Sequence, residues 1–442
     1  MAKRNMHLVG HLVTGPILHH TGGWRHPDSD ASLVLDPARY ENLARIYEAG
    51  KFDGVFIVDG MVLSGISPDA PSPHVEHGML MFLLDPMLVL AQMARVTSHL
   101  GLAATQNTLV TPPFQIARQF ATLDHLSHGR AGWNIVTGAI AAVTANYGLT
   151  QLPPAEDRYD HADEVVEACL ALWQTWDADA VELNKAAGRF ADPSKVHYVT
   201  YQGKRVKLAG GLPTPRSPQG HPVFLQAGAS ARGKRFAARW AEAIFTIQQN
   251  KELAQAFYGD IKDLVDTAGR NPDSCTVLPA IEVFADKSEA AAQDYAASLD
   301  ELADPRAGLS ALTSIFGRDV AGDPLGTPVS QVPVGPAGPP VEGTYKNVLG
   351  VKVNGREATL GELAHLQATT HLSPRFVGTP EQVADQMQDR FESGCCDGFV
   401  ITHALSPGSL IKFVDLVVPE LQRRGIFRQD YAGATFRENL QG

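Results

Sequence analysis

Short apolar segments that alternate with longer helical segments constrain this chain more than any other feature of its sequence. Apolar runs bounded by Gly, Asp or Asn are typical of buried parallel strands, and the segments between them are typical of helices that cross back over such a sheet. Eight such strand and helix pairs can be found, and eight is the number that closes a parallel sheet into a barrel. The sequence therefore predicts an α/β fold, a TIM (β/α)8 barrel.

The predicted strands cover residues 6–13, 53–58, 100–106, 130–137, 223–227, 243–247, 276–284 and 398–402. The predicted helices cover residues 37–49, 86–97, 114–126, 158–176, 231–240, 251–268, 288–299 and 409–424. Asp36 and Asp85 precede prolines at two of the helix starts, as N-caps do. A doubly wound sheet would alternate in the same way, but the segment TGPILHHTGGWRHPD after Val13 is not the Gly-rich phosphate loop that follows the first strand of such a sheet.

Three stretches are longer than barrel connections usually are, approximately residues 60–84, 178–221 and 304–373. The second contains YVTYQGKRVKL, two alternating runs around Gln202 and Gly203 that predict a surface hairpin. The third contains the Pro- and Gly-rich run GDPLGTPVSQVPVGPAGPP, which is either a mobile lid or a plain exposed loop. We expect a single barrel domain over residues 1–442 with these three stretches as insertions.

Charge and cysteine content limit the classes of partner and compartment. The chain has 37 Lys and Arg against 48 Asp and Glu, a net charge of −11, which disfavours nucleic acid and anionic membranes as partners. Its four cysteines contain no CxxC pair, which suits free thiols in a reducing cytoplasm. No signal peptide is evident, and the richest apolar run is interrupted by Asp85 and Pro86. We therefore expect a cytoplasmic protein.

One predicted strand and the helix after it have the composition of a phosphate site. The segment VFLQAGASARGKRFAARW ends a buried strand in small residues, so free N–H groups at the helix start could bind a phosphate. Gly228 would allow close backbone approach, and the Ser230 hydroxyl could donate. Residues 228–234 match the GxxxxGK start of a P-loop, but Arg235 replaces its Ser or Thr. A helix that simply begins with a Ser cap remains the alternative.

Polar side chains lie at the carboxyl ends of three neighbouring predicted strands, where barrel enzymes have their active sites. Asp59 follows the second strand, Thr105 lies near the end of the third, and Asn134 and Thr137 lie at the end of the fourth. Buried polar groups need partners, so either a ligand or a neighbouring loop must satisfy them. Several strand ends that become polar together favour the ligand.

The histidines of the first third are candidates for acid–base or metal chemistry. His74 and His77 have HxxH spacing, but they lie in a Pro-rich loop rather than at i, i+4 on a helix, so we expect solvated loop histidines and no metal. His20 follows the first strand and precedes Gly22, Gly23 and Trp24. It is the better candidate for general acid or base chemistry in a pocket.

Seven segments together point to one family. They are GGWRHPD (22–28), GKFDGVFIVDG (50–60), ARQFATLDHLSHGRAGWNIVT (117–137), RYDHADE (158–164), FADPSKVHYV (190–199), PRSPQGHPVFLQAGASARGKRFAARWAEAIF (215–245) and GTPEQVADQMQDRFESGCCDGF (378–399). Through them the chain resembles the two-component FMN-dependent monooxygenases of the bacterial luciferase-like superfamily, in the group of nitrilotriacetate, alkane, pristinamycin and dibenzothiophene-sulfone monooxygenases. The runs RFADPSKVHYV and PRSPQGHPV are most similar to the dibenzothiophene-sulfone branch.

The resemblance implies a luciferase-like TIM barrel that binds reduced FMN at the carboxyl ends of its strands. His20 matches the catalytic histidine of the family, and Gly138 stands where the family usually has Ser. The positions that match cofactor contacts are Asp59, Thr105, Asn134, Thr137, Tyr159, Ala227, Gly228 and Ser230. Since no NAD(P) fingerprint is present, the implied partners are O2, a small-molecule substrate and a separate NAD(P)H:flavin reductase. A homodimer or homotetramer is expected.

The loops near the predicted mouth bear on the substrate. Only Arg25 and Arg318 supply positive charge there, among apolar runs at 79–84 and 312–316. A desolvated polycarboxylate would need matching cations, so we expect an apolar or heteroaromatic substrate such as an aryl sulfone. The same chemistry on an aminopolycarboxylate, a long-chain alkane or riboflavin is the first alternative. A metal-assisted hydrolase that uses His74, His77 and Asp59, and a non-enzymatic flavin-binding barrel, are the others.

Overall fold

A computed structural model of the chain describes residues 4–17, 19–63, 65–66, 72–336, 338–339 and 342–441. All eight predicted strands are present and form a barrel. In chain order the strands are β1 (His7–Val13), β2 (Gly54–Val58), β3 (Gly101–Asn107), β4 (Ala131–Val136), β5 (Val181–Asn184), β6 (Arg189–Ala191), β7 (Val199–Gln202), β8 (Lys207–Gly210), β9 (Val223–Gln226), β10 (Ala243–Thr246), β11 (Thr276–Ala285), β12 (Lys352–Val353), β13 (Arg356–Glu357), β14 (Arg375–Gly378) and β15 (Gly398–Thr402).

Backbone pairing closes the sheet. The barrel order is β1-β2-β3-β4-β9-β10-β11-β15, and β15 returns to β1 with Leu8 opposite Phe399. Gly10 on the other side of β1 lies opposite Val55 of β2. Because all eight strands are parallel, their carboxyl ends lie on one rim, which is the end where barrel enzymes have their sites.

The helices are α1 (Pro37–Ala49), α2 (Pro73–Glu76), α3 (Pro86–Arg95), α4 (Pro113–Leu126), α5 (Ala141–Asn146), α6 (Ala155–Trp173), α7 (Ala231–Trp240), α8 (Lys251–Thr267), α9 (Glu289–Asp300), α10 (Pro305–Phe316), α11 (Glu342–Leu349), α12 (Leu360–Thr370), α13 (Pro380–Glu392), α14 (Gly408–Lys412), α15 (Val418–Arg423) and α16 (Phe436–Gln441). The Asp36 and Asp85 side chains accept hydrogen bonds from Ala38 N and Met87 N, which confirms both predicted caps. The last predicted helix is interrupted by a π-helical turn at Phe413–Val417.

Phe436 closes the amino end of the barrel. Its ring comes from α16 and packs inside the barrel with residues such as Val9. A Cβ atom on Gly54, Gly101 or Gly132 would lie 2.9, 2.3 or 2.9 Å from this ring. Glycine at the amino ends of β2, β3 and β4 therefore makes room for the aromatic plug, because any larger residue would collide with it.

The second insertion confirms the predicted hairpin. Strands β7 and β8 pair antiparallel, with Tyr201 opposite Leu208, and β5 and β6 form another small antiparallel pair before them. Both pairs lie apart from the barrel sheet.

The third insertion is richer in structure than its sequence predicts. It contains α10, α11 and α12, with the Pro- and Gly-rich run between α10 and α11. Leu312, Phe316, Val348, Leu360 and Leu363 form a hydrophobic cluster of their own, separate from the barrel core. The sequence analysis predicted no helix in this stretch, and these apolar residues give the helices a surface against which to pack. That the insertion moves as a lid stays a prediction.

Strand β14 is a further element that the sequence analysis missed. Barrel strand β11 is 10 residues long, and its carboxyl-terminal part extends beyond its pairing with β15. Residues Glu282 to Ala285 pair with Arg375 to Gly378, so β14 continues the sheet beside the barrel. The helix α13 begins directly after it at a capping box formed by Thr379 and Gln382.

All four cysteines, Cys169, Cys275, Cys395 and Cys396, are buried free thiols. Across the parts of the chain that the structure describes, no helix is long and apolar enough to cross a membrane.

Arg130 joins the carbonyl groups at the end of α3 to the start of β4. The side chain is 1 % exposed, and its guanidinium donates to the carbonyl oxygens of Ser127, Leu100, Ala94 and Thr97 at 2.7 to 3.1 Å. Burial lowers the pKa of Arg130. One side chain therefore satisfies acceptors on three segments.

We expect Arg130→Met to destabilise the protein by about 3 kcal/mol, because several buried carbonyl groups would lose their donor. Urea unfolding gives the measurement. Arg45→Met is the control, since Arg45 is 55 % exposed and its contact with Glu41 is 3.5 Å long, so its loss should cost less than about 0.5 kcal/mol. Equal midpoints for the two variants would contradict this account of Arg130.

Candidate functional site at the carboxyl rim of the barrel

Thr105 and Asn134 form a fixed polar pair on adjacent strands. The Asn134 amide donates to the Thr105 hydroxyl at 2.8 Å, and that hydroxyl donates to the carbonyl oxygen of Ile57 at 2.8 Å. Both side chains are buried. The structure therefore brings together two of the residues that the sequence selected and locks the orientation of the Asn134 amide.

Asp59 lies directly after β2, on the strand next to this pair. Its Oδ1 accepts a hydrogen bond from Met61 N at 2.8 Å. Burial raises the pKa of Asp59, and the negative charge of Asp85 adds to that effect. A partly desolvated carboxyl group at a strand end is a good partner for N–H or O–H donors of a ligand.

The turn from β9 into α7 forms a cradle of backbone and hydroxyl groups. Gly228 N donates to Gln226 Oε1 at 2.6 Å, and a Cβ atom on Gly228 would lie 3.0 Å from the Tyr159 hydroxyl. A Cβ atom on Gly233 would lie only 2.7 Å from the same hydroxyl. Tyr159, Gly228 and the start of α7 are thus close neighbours, and only glycine fits at the contact points.

Ser230 is the N-cap of α7. Its Oγ accepts a hydrogen bond from Gly233 N at 3.0 Å, which leaves the hydroxyl hydrogen to be donated in another direction. The partial positive charge of the helix N-terminus favours an anion at the same place. Lys234 is already paired with Asp260 at 2.5 Å. The donor set of this cradle therefore fits the phosphate of a mononucleotide cofactor through N–H and O–H groups rather than through a lysine.

Thr137 and Ala227 are the remaining residues that the sequence analysis matched to cofactor contacts, and they lie at the ends of neighbouring strands. Thr137 follows β4, and Ala227 lines a cavity of about 240 Å³ at the barrel mouth, here called the mouth cavity. Gly138 has φ 74°, and a Cβ atom on it would lie 3.0 Å from Asn107 Oδ1. Glycine at the position where the family usually has Ser is explained by this left-handed backbone conformation.

The hydrogen bonds that the structure describes for His20 go to Asp300 and Gly22 and not to these strand ends. His20 is fully buried, with Nε2 3.2 Å from Asp300 Oδ1 and with Nδ1 accepting from Gly22 N. Asp300 also pairs with Arg375 at 2.7 Å. Burial lowers the pKa of His20, against the opposing hydrogen bond to Asp300. The acid–base role of His20 stays a prediction, and in this arrangement it would require His20 to exchange Asp300 for a ligand.

The sequence analysis missed a cluster of four histidines at the top of the barrel, the buried His11, His19 and His403 and the partly buried His371. His11 Nδ1 and His19 Nε2 are 2.6 Å apart, and His19 Nδ1 is 3.4 Å from the Thr370 carbonyl. The His371 ring packs edge-on against His19. His11 could have been suspected, because it follows Val9 on the inward face of β1, whereas His371 and His403 come from distant segments.

Hydrogen bonding fixes the tautomers in this cluster. A carbonyl oxygen can only accept, so His19 carries its proton on Nδ1, and its Nε2 accepts from His11 Nδ1–H. Burial, together with neighbouring histidines, lowers the pKa of His11 to about 3, and burial lowers the pKa of His371 to about 4. The pKa of His403 is also lowered to about 4. The four rings are therefore neutral near neutral pH.

His74 and His77 do not share a site. His77 Nε2 is 3.8 Å from Asp304, whereas His74 lines an apolar chamber beside the barrel mouth. Within the described ranges, no group of three or more His, Cys, Asp or Glu side chains could hold a metal ion. The geometry gives the metal-assisted hydrolase no support.

The described residues form a closed (β/α)8 barrel, and polar groups lie at several strand ends and at one helix start on its carboxyl rim. The profile of the luciferase-like monooxygenases matches residues 16–396. The chain belongs to this family and is an oxygenase that uses a flavin.

Three known proteins illustrate the match. Dibenzothiophene-sulfone monooxygenase of Rhodococcus erythropolis (strain XP) is 43 % identical over 440 residues, which cover 99 % of this chain and 97 % of that protein. The crystal structure of DmoA from Hyphomicrobium sulfonivorans superposes with a TM-score of 0.91 at 31 % identity, covering 99 % of this chain and 92 % of the other. The structure of riboflavin lyase with modified FMN and riboflavin gives a TM-score of 0.89 at 30 % identity, covering 99 % and 96 %.

Acid should destabilise the protein through the histidine cluster. The pKa of His11 falls from 6.5 to about 3 on folding, so the unfolded chain takes up the proton first as the pH falls. The contribution of the neutral His11 ring to the free energy of unfolding is complete above pH 6.5 and is lost progressively below it. For this one group the loss at pH 5 is about 2 kcal/mol.

His11→Phe removes this group, so the variant should lose about 2 kcal/mol less than the unsubstituted protein between pH 8 and pH 5. Chemical denaturation at the two pH values measures the difference. His365→Phe is the control, since it removes a histidine that is 54 % exposed and lies outside the cluster. An identical pH dependence in all three proteins would show that the cluster is not the acid-sensitive element.

Proposed function

We propose that the protein uses reduced FMN, supplied by a separate NAD(P)H:flavin reductase, and O2 to oxidise a neutral apolar or heteroaromatic molecule such as an aryl sulfone. The observation that carries the proposal is the cradle of Gly228, Ser230 and Tyr159, which lies beside the polar ends of β2, β3 and β4. A flavin mononucleotide has an anionic end and a hydrogen-bonding ring, and these two groups of residues suit its two ends.

Each residue of the rim has a distinct task in this proposal. Ser230 and the N–H groups of α7 hold the phosphate, and Gly228 lets the backbone approach it. The Asn134 amide, oriented by Thr105, and the Asp59 carboxyl group hold polar edges of the ring system. When bound, the reduced flavin supplies the two electrons with which one oxygen atom of O2 enters the substrate and the other leaves as water.

The side chains around the mouth exclude water and disfavour charged substrates. Leu80, Phe245 and Ile315 line the mouth cavity. The two arginines considered from the sequence are engaged elsewhere, since Arg25 donates to the Leu302 carbonyl at 2.6 Å and Arg318 donates to the Pro333 carbonyl at 2.7 Å. A polycarboxylate would therefore enter a desolvated space without matching cations.

The relatives support an aryl sulfone without deciding the substrate. The relative at 43 % identity is named for dibenzothiophene sulfone, and a structural neighbour was solved with riboflavin. Both molecules are polycyclic and planar, which agrees with apolar walls at the mouth. We further propose a homodimer or homotetramer in the cytoplasm, with the reductase as a separate protein.

The direct test is turnover of a substrate panel with a generic FMN reductase, NADH and O2, scored by product mass. The panel contains dibenzothiophene sulfone, nitrilotriacetate, a long-chain alkane and riboflavin. We expect an oxidised product from the sulfone and none from nitrilotriacetate. Oxidation of nitrilotriacetate with every aromatic heterocycle left untouched would contradict the proposal.

Ser230→Ala should weaken FMN binding by about 1 to 2 kcal/mol, the free energy of one hydrogen bond to a charged group. Riboflavin, which lacks the phosphate, should bind weakly and equally to both proteins. Fluorescence titration measures the four affinities.

Ser288→Ala is the matched control for helix capping. Ser288 caps α9 through a hydrogen bond from Ala291 N, as Ser230 caps α7, but it lies on another helix. Its substitution should lower stability in the same way and leave FMN affinity unchanged. Equal affinity of the unsubstituted protein for FMN and riboflavin would rule out the phosphate assignment.

A further inference from the structure

A second, more apolar space adjoins the mouth cavity, here called the side chamber. It has a volume of about 440 Å³, and its walls include Val62, Leu63, Ile66, Ile140 and Ile315. It shares Leu80, Ser314, Ile315 and Thr344 with the mouth cavity, so the two spaces are adjacent. If a molecule extends from the rim of the barrel into the side chamber, the part of it inside the chamber contacts mainly aliphatic side chains.

The walls of the side chamber are exposed to solvent in the absence of a ligand. Leu63, Ile66 and Ile140 are 43 %, 65 % and 46 % exposed. Clustered large apolar side chains that remain exposed mark surfaces that a ligand or partner covers. Their position beside the mouth cavity indicates that the covering group belongs to the same ligand that enters the barrel mouth.

His74 is the exception among these walls, because among the residues that the structure describes it is the only titratable side chain that lines the side chamber. Both of its ring nitrogens are inaccessible to solvent and have no hydrogen-bond partner among the residues that the structure describes. The ring lies against Gly65, where a Cβ atom would come within 2.3 Å of His74 Nδ1. Two inaccessible ring nitrogens that are unpaired among the described residues cost free energy that a ligand could recover.

We propose that His74 is a specificity-determining residue whose ring turns towards the side chamber and donates its N–H to an acceptor oxygen of an uncharged, largely aromatic substrate held there. The inference rests on the proposed function, since it names the substrate class of that same site. The aliphatic walls take the ring system, and His74 supplies the one strong polar contact, as small-molecule sites with few polar groups do.

The charge state of His74 agrees with an uncharged ligand. Burial lowers the pKa of His74, so the ring is neutral at pH 7 and offers one donor and one acceptor. A carboxylate or sulfinate in the side chamber would require a cation that the described walls do not contain. A sulfonyl or carbonyl oxygen needs only the N–H donor.

Two ligands with the same ring system separate the polar contact from the apolar one. Dibenzothiophene sulfone carries two acceptor oxygens on sulfur, and dibenzothiophene carries none. Binding of each to the full-length protein without flavin is measured by equilibrium dialysis at pH 7. We expect the sulfone to bind about 10-fold more tightly, the effect of one buried hydrogen bond.

His74→Phe should lower the affinity for the sulfone about 10-fold and leave the affinity for dibenzothiophene unchanged. His74→Gln, which retains an N–H donor, should restore most of the preference for the sulfone. His77→Phe is the control in the same segment, since His77 faces Asp304 and does not line the chamber. It should preserve the preference.

Three results would overturn the proposal: no preference for the sulfone, the same preference in His74→Phe, or no detectable binding of either compound. Failure of the proposed function is read separately, because it appears as the absence of FMN binding and of reductase-dependent turnover. If the protein prefers the sulfone through His74 but does not turn it over, the binding site in the side chamber is supported and only the oxygenation of this ligand is contradicted.

Discussion

Closure of the parallel sheet is the constraint on which the rest of the structure depends. When β15 pairs with β1, the carboxyl ends of all eight barrel strands meet on one rim, and residues far apart in sequence become neighbours there. The amino end has no room for a site, because Phe436 fills the space left by glycines such as Gly101. One end of the barrel is therefore a packed plug, and the other is free to hold a ligand.

The barrel could be predicted from the sequence because its strands are buried on both faces. Such strands form continuous apolar runs, and helix starts such as Asp36-Pro37 carry an unambiguous cap. Apolar patterns did not reveal the helices of the third insertion. Helices α10 and α12 pack mainly against other parts of the insertion, as Leu312 and Leu363 do, and a Pro- and Gly-rich run between the helices concealed their pattern.

The residues of the candidate site likewise differ in whether local sequence could predict them. Asn134 and Ser230 could be selected because each lies at a strand end or a helix start, where local sequence determines the position of the side chain. The histidine cluster could not, since His11, His371 and His403 meet only after the barrel closes and the insertion folds over it. His74 lies in the short helix α2, whose sequence gives no periodic signal, so its place in the wall of the side chamber depends on tertiary structure alone.

The central claim is that the start of α7 and the ends of β2, β3 and β4 form one flavin site. A crystal structure of the protein with FMN tests it most directly. The account predicts the phosphate within hydrogen-bond distance of Ser230 Oγ and the N–H groups at the start of α7, with the ring system beside Asn134 and Asp59. A phosphate bound at any other part of the chain, or a ring system outside the carboxyl rim of the barrel, would contradict it.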